Sequence, residues 1–191
     1  MASLPIKRFT PEEYLAIERA AESKSEYISG EIIAMAGASW KHGLIKSNVE
    51  ASLRSGLQGK PCRAMSSDLR VQAGSSYLYP DVVVACGKAQ FHDDANLDTL
   101  LNPTVIVEVL SKSTESEDRG IKFMRYGMIS TLKEYILVSQ DQQRIEHFYR
   151  DADGIWERGR IVTESDDALL VESINCSLSI KEVYEEVDST E

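Results

Sequence analysis

Apolar residues recur along this chain in two rhythms, and each change of rhythm marks an element. Thr10-Pro11-Glu12-Glu13 opens the first helix, with threonine as N-cap, proline in the first turn and Glu13 closing a capping box. Tyr14, Leu15 and Ile17 give that helix an apolar side, and it should end near residues 21–23. Two short runs, 25–28 and 31–35, flank Ser29-Gly30 and read as a hairpin. Helical spacing returns over 40–57, where Ser39 is the cap and Leu44 or Ile45, Val49, Leu53 and Leu57 should face a sheet. Gly59-Lys60-Pro61 stops it. Residues 62–72 and 77–86 follow as an antiparallel strand pair, and 87–102, poor in large apolar groups, reads as a loop. Residues 105–110 and 134–138 are short and rich in β-branched side chains, the pattern of strands buried on both faces. Residues 144–149 and 155–162 alternate apolar and polar as a meander. A second capping box, Ser179 to Glu182, opens a short last helix through Val183, Tyr184 and Val187. Residues 1–9 and 188–191 are expected to fray.

At 191 residues the chain reads as one domain with room for a real core. Hydrophobic residues at 42% and charged ones at 27% are a globular balance and exclude a disordered chain. No apolar run approaches the roughly 20 residues that span a bilayer. The first residues lack the apolar stretch of a secretion signal, so a cytoplasmic location is expected. Cys62, Cys86 and Cys176 are odd in number and far apart, which suggests neither a disulfide framework nor a zinc site. They read as small buried apolar residues of a reducing compartment.

The net charge of −10 looks unfavourable for nucleic acid, whose affinity comes largely from phosphate neutralisation. Its distribution changes that picture. Residues 1–60 hold 8 basic and 7 acidic groups, 61–140 hold 8 and 10, and 141–191 hold 5 and 14. The excess sits in the C-terminal part, so binding of DNA elsewhere stays open, although no basic patch recommends it.

Two acids interrupt the buried strands: Asp81 in Tyr79-Pro80-Asp81-Val82-Val83-Val84, and Glu108 in Val105-Ile106-Val107-Glu108-Val109-Leu110. An ionised carboxylate on an apolar strand costs several kcal/mol unless something pairs with it. Either one alone reads as a strand-end acid bonded to a loop; together on neighbouring strands they point to one hard cation held through oxygen. Downstream, Ser111 to Glu115 supplies helix-starting groups, and residues 118–126 carry Lys122 at helical spacing. Asp68 could join the acids, but pairing with Arg70 is the plainer expectation, and His92-Asp93-Asp94 reads as solvent-facing.

Asp, Glu on the next strand, then Lys is the order of the PD-(D/E)xK nuclease fold. Tyr-Pro-Asp-Val-Val-Val, then Asn-Pro-x4-Glu-Val-Leu-Ser, then Ser-Thr-Glu-x2-Asp-Arg with Lys122 and Tyr126, resembles more closely the Uma-type family of restriction endonuclease-like proteins. The likeness runs from about Thr10 to Trp156. It implies an α/β fold: a mixed central sheet with helices on both faces and a C-terminal antiparallel extension. It implies a metal-dependent DNA endonuclease, with Asp81, Glu108 and the Val109 carbonyl holding Mg²⁺ or Mn²⁺ and Lys122 as the catalytic lysine. Glu31, as an additional N-terminal acid, and His42, on the long helix, are accessory candidates; a solvent-facing turn acid and a hydrogen-bonded histidine are their ordinary alternatives. Leu110 occupies the place where the common pattern has its lysine, and Lys122, on the following helix, looks like a migrated one. The ordinary role for Lys122 is an i,i+4 pair with Asp118. Leu110 also leaves open a catalytically silent binding or assembly module, and a closed pocket would favour a hydrolase of small phosphoesters. Similar nucleases pair two sites across a twofold axis, so a homodimer is expected, with the apolar meander residues Ile145, Phe148, Tyr149, Ile155 and Trp156 as its surface or as core.

Overall fold

The computed structural model describes residues 7–66, 68–93 and 95–187. The Thr10 capping box forms in full: Glu13 N–H reaches Thr10 Oγ1 (3.2 Å), and Glu13 Oε2 accepts the Thr10 N–H (2.8 Å). It opens α1 (Pro11–Ala20), which buries Tyr14, Leu15 and Glu18 but leaves Ile17 exposed. β1 (Ser25–Ile28) and β2 (Glu31–Ala34) pair about Ser29 and Gly30, both at positive φ (53° and 95°), as a type I′ turn requires. Residues 7–9 do not fray, since Phe9 N–H bonds the Gly30 carbonyl (2.9 Å) and its ring packs on the Tyr14–Tyr27 cluster. The other residues expected to fray lie outside the described ones. Ser39 caps α2 (Trp40–Gly56) by accepting the His42 N–H, and Ile45, Val49 and Leu53 form its buried stripe.

Residues 62–72 are not one strand. β3 (Cys62–Ser66) and β4 (Arg70–Ala73) enter different sheets, as do β5 (Ser76–Leu78) and β6 (Val82–Cys86). Pro80 gives a physical reason for the second break: without an N–H it cannot continue a ladder, so the chain changes sheets around it. The segment read as a loop holds β7 (Thr99–Leu100) and is otherwise irregular. Beyond it come β8 (Val105–Leu110), α3 (Glu115–Glu117), a π-helical turn (Asp118–Lys122) and α4 (Phe123–Tyr126). β9 (Glu134–Ser139), β10 (Ile145–Arg150) and β11 (Trp156–Val162) build the meander. The hairpin of β12 (Ala168–Val171) and β13 (Cys176–Ser179), which the residue pattern did not announce, precedes α5 (Ile180–Val183). No Ser179 capping box forms there; Glu182 Oε2 instead accepts the Ser52 hydroxyl (2.9 Å), tying α5 to α2.

The central sheet has the order β11-β10-β9-β8-β6-β3, with β8 and β9 parallel and the other neighbours antiparallel. A smaller sheet, β2-β1-β5-β4-β7, covers part of one face. β8 shows why both faces are apolar. Val105, Val107 and Val109 enter the core under α2 and the β12–β13 hairpin, and Ile106 and Leu110 enter the core under the smaller sheet and the α3–α4 segment. Each such side chain, fully buried, contributes about 1.5–3 kcal/mol. The meander's apolar groups mostly turn inward. Ile145 is fully buried, and Phe123 packs against both Phe148 (5.0 Å between ring centroids) and Trp156 (5.4 Å). Tyr149 and Ile155 alone of the five remain exposed, so most of the surface expected for a partner is core.

The cysteine reading is corrected too. Cys62 and Cys86 face each other in the β3–β6 register and form a disulfide, while Cys176 is the free, buried thiol. Twenty-four residues of separation hid a pair that the register brings to a Cα–Cα distance of 4.0 Å. No helix among the described residues is long and apolar enough to cross a membrane.

Candidate active site

Pairing of Val82 with Val107 places Asp81 opposite Glu108, one step beyond the end of the β6–β8 ladder. There the two exchange contacts through the backbone. Asp81 N–H donates to Glu108 Oε2 (3.1 Å), and Val109 N–H donates to Asp81 Oδ2 (2.8 Å). The N–H and carbonyl of a strand residue leave on the same edge, so the Val109 carbonyl faces the same gap. His42 lies in the first turn of α2, and its Nε2 is 2.9 Å from Asp81 Oδ1; facing a carboxylate, that nitrogen is the donor.

Glu108 shares the strand face of Ile106 and Leu110, the face that the α3–α4 segment covers. Leu110 is core, and the lysine arrives from that segment instead. Lys122 Nζ lies 3.5 Å from Glu108 Oε1, 3.2 Å from Glu26 Oε1 and 3.4 Å from Asp118 Oδ1. The i,i+4 pair and the site contact are therefore the same arrangement. Asp118 and Lys122 both lie in the π-helical turn with their side chains buried, and such turns often mark functional sites. Tyr135 OH donates to the Asp118 carbonyl (2.9 Å) and Tyr126 OH to Glu108 Oε1 (3.1 Å), which fixes the turn and the acid.

Glu26, and not Glu31, is the hairpin acid that enters the site. Glu31 is exposed at the start of β2, whereas Glu26 is 5% exposed, accepts the Tyr79 N–H (2.9 Å) and holds Lys122. Tyr79 is itself pinned: its hydroxyl donates to Glu18 Oε1 (2.9 Å) and accepts from Arg70 Nη1 (3.2 Å). Arg70 pairs with Asp98 (2.5 Å); Asp68, its expected partner, is exposed and pairs with Lys24. His92 is exposed as expected, and Asp94 lies outside the described residues. Glu26 carried the same signal as Asp81 and Glu108, an acid inside a short apolar strand. Lys112 lies in the exposed turn after β8.

Electrostatically the site holds more negative charge than its own cation can balance. Burial raises the pKa of Glu108 well above the ordinary carboxylate value, against the opposing pull of Lys122, and burial also raises Asp118 and Glu26. Burial alone would lower Lys122, but Glu108, Glu26 and Asp118 outweigh it and keep the ammonium charged. One ammonium cannot neutralise three carboxylates, and the remainder are pushed towards their neutral forms. Asp118 Oδ1 is buried with the Lys122 ammonium at 3.4 Å as its charge partner.

Arg119 fastens this segment to the central sheet. Its guanidinium is bidentate on Glu146 of β10 (2.6 and 3.1 Å) and also meets Glu115 (2.7 Å). Burial would raise the Glu146 carboxyl, but Arg119 and Arg144 overcome it and hold the pKa at about 2, below the ordinary 4.5. A depressed pKa gives stability that is complete above the unfolded value and lost as pH falls through the folded one. Acid unfolding should therefore steepen between pH 4.5 and about 2, and Glu146→Gln should flatten that part of a urea-midpoint-against-pH curve. Parallel curves for the two proteins would show that Glu146 does not control this window.

Comparison with known proteins places the chain in a family. Residues 11–181 match the family model Uma2, described as "Putative restriction endonuclease". The chain is 34% identical over 184 residues to the uncharacterized protein slr1290 of Synechocystis sp., covering 95% of this chain and 94% of that one. It is 38% identical over 152 residues to the uncharacterized protein sll1609 of the same organism, covering 78% and 85%. A crystal structure described as a putative nuclease belonging to DUF820 from Anabaena variabilis shares the fold, with TM-score 0.77 at 22% identity over 94% of this chain and 99% of that one. With the family model spanning nearly the whole chain and a relative this similar end to end, the protein belongs to the Uma2 family of putative restriction endonucleases.

Proposed function

We propose that this protein is a metal-dependent endonuclease that hydrolyses phosphodiester bonds in DNA at Asp81, Glu108 and Lys122. One observation carries the reading: Lys122 is brought to Glu108 from the covering segment, at 3.5 Å, where the strand itself offers only Leu110. The same lysine also neutralises the buried acids Glu26 and Asp118, so the reading rests on its position beside Glu108, itself next to Asp81, and activity is what separates it from a silent module. The nuclease descriptions of the family and of the structural neighbour support the choice of substrate.

The donor set fits Mg²⁺ or Mn²⁺. Asp81, Glu108 and the Val109 carbonyl offer hard oxygens, and the site has more buried carboxylate than Lys122 alone neutralises. Among the described residues no three His, Cys, Asp or Glu side chains form a ready-made cage, and magnesium is commonly held by one or two carboxylates with water and phosphate oxygens completing its shell. Bound there, the ion would polarise the phosphate and lower the pKa of the attacking water. Lys122, held charged, meets the negative charge that develops on the phosphate oxygens. His42 fixes the orientation of Asp81, Tyr126 that of Glu108, and Glu26 that of Lys122.

Pairing of two such sites in a homodimer belongs to this reading for double-strand cutting, and sedimentation equilibrium distinguishes it from a 21.3 kDa monomer. A cytoplasmic location is likewise proposed, although the Cys62–Cys86 bond weighs against it. The direct test is cleavage of supercoiled plasmid and of single-stranded DNA by the purified protein. Mg²⁺ or Mn²⁺ should convert the substrate and EDTA should stop it. Intact substrate with either ion would favour the silent module.

A further inference from the structure

Trp40 stands where a hydrophobic side chain has little reason to be. At 69% its exposure is the largest of any large apolar side chain among the described residues. Yet the turn that carries it is held on both sides. Ser39 Oγ accepts the His42 N–H and lies 3.2 Å from Gln140 Oε1, and His42 reaches Asp81. The indole is thus bare but borne on a fixed backbone, as a preorganised contact would be.

Trp40 shares an open concavity of about 560 Å³ with Ser39, Lys41, Gln140 and Asp141. Gln140 directly follows β9 and donates its N–H to the Leu110 carbonyl (3.2 Å), so this hollow begins two residues beyond Glu108. Two residues of strand span about 7 Å, close to the length of two stacked nucleotides. The hollow is therefore joined to the proposed site on two sides, through the Gln140–Leu110 hydrogen bond and through the His42–Asp81 contact.

The lining decides the kind of occupant. Apart from Trp40 it is polar, unlike the apolar centre of a protein interface. A single exposed ring with polar groups around it is a base-stacking platform. A paired base inside a duplex is already stacked on both faces and offers none to the indole. The charge of −10 argues the same way: phosphate attraction contributes little here, and stacking does not depend on charge.

Building on the nuclease reading, we propose that Trp40 stacks on an unpaired base beside the scissile phosphate, and that the preferred substrate is DNA that is single-stranded or locally opened at that point. Trp40 then sets substrate preference and leaves the chemistry to Asp81, Glu108 and Lys122.

The test uses full-length protein carrying Asp81→Asn, so that binding is read without cleavage, and a short labelled oligonucleotide as single strand and as perfect duplex. The single strand should bind more tightly and quench the tryptophan emission. Adding Trp40→Ala should weaken single-strand binding about tenfold or more, weaken duplex binding much less, and remove the quench; Trp40→Phe should restore most of the affinity. Equal affinities for the single strand with and without Trp40 would overturn the proposal. So would quenching that grows with protein concentration in the absence of DNA, which would assign Trp40 to a second copy of the chain. Failure of the wild type to cleave any DNA with Mg²⁺ or Mn²⁺ would instead remove the nuclease reading, while the binding comparison is read on its own.

Discussion

Lys122→Met should destabilise the protein by about 3–5 kcal/mol at pH 8, and by clearly less at pH 5. Lys122 is 7% exposed, and its ammonium is the cation that Glu26, Glu108 and Asp118 share. Methionine fills its volume, so the loss is one of charge and not of packing. Burial has already raised the pKa values of all three acids, and loss of Lys122 removes the largest opposing influence, leaving only hydrogen bonds such as the Tyr79 N–H on Glu26. An acid whose folded pKa is raised gives stability that is complete below its unfolded value and lost as pH rises through the folded one. The variant should therefore regain stability on the acid side, from pH 8 down towards the ordinary carboxylate values of 4.5 and 3.8. Urea unfolding of wild type and variant at pH 5 and pH 8 reads this directly. A difference independent of pH would mean that the three carboxylates do not depend on Lys122 for their charge. Under conditions where the variant is folded, its DNA cleavage should fall by about a hundredfold or more.

Asp81→Asn should do the opposite: little to the fold and nearly everything to the chemistry. The asparagine oxygen can still accept the Val109 N–H, and loss of one negative charge relieves a site with too many. Stability should stay within about 1 kcal/mol of wild type. Cleavage should drop by about a thousandfold or more, equivalent to about 4 kcal/mol of transition-state stabilisation, because a neutral amide is a poor ligand for a hard cation. Uptake of Mn²⁺ measured by titration calorimetry should be lost in parallel. Undiminished cleavage by a pure, folded Asp81→Asn protein would place the activity at another site or in another protein.

These two residues also divide what the chain announces from what it hides. Asp81 and Glu108 were legible because a carboxylate in a β-branched run is costly wherever the strand lies. The same reasoning applies to Glu26, but its strand is only four residues long, and the family resemblance points to Glu31 on the turn instead. Lys122 was legible through its motif, while its route to Glu108 was not. That route depends on how the α3–α4 segment packs over β8, which helical periodicity within the segment does not encode.

The sequence by itself determined the elements whose signals are local. The Thr10 box, the Ser29-Gly30 turn, the α2 stripe and the apolar strands each follow from steric and hydrogen-bonding preferences within a few residues. What joins distant parts was decided by tertiary structure alone. The break of residues 62–72 between two sheets, the Cys62–Cys86 bond, the Arg70–Asp98 pair and the meeting of Glu26 with Lys122 all depend on strand register or on one sheet lying over another. Those contacts span from 24 to 96 residues of chain. No local preference encodes them, because their free energy appears only when the intervening segments have already been ordered.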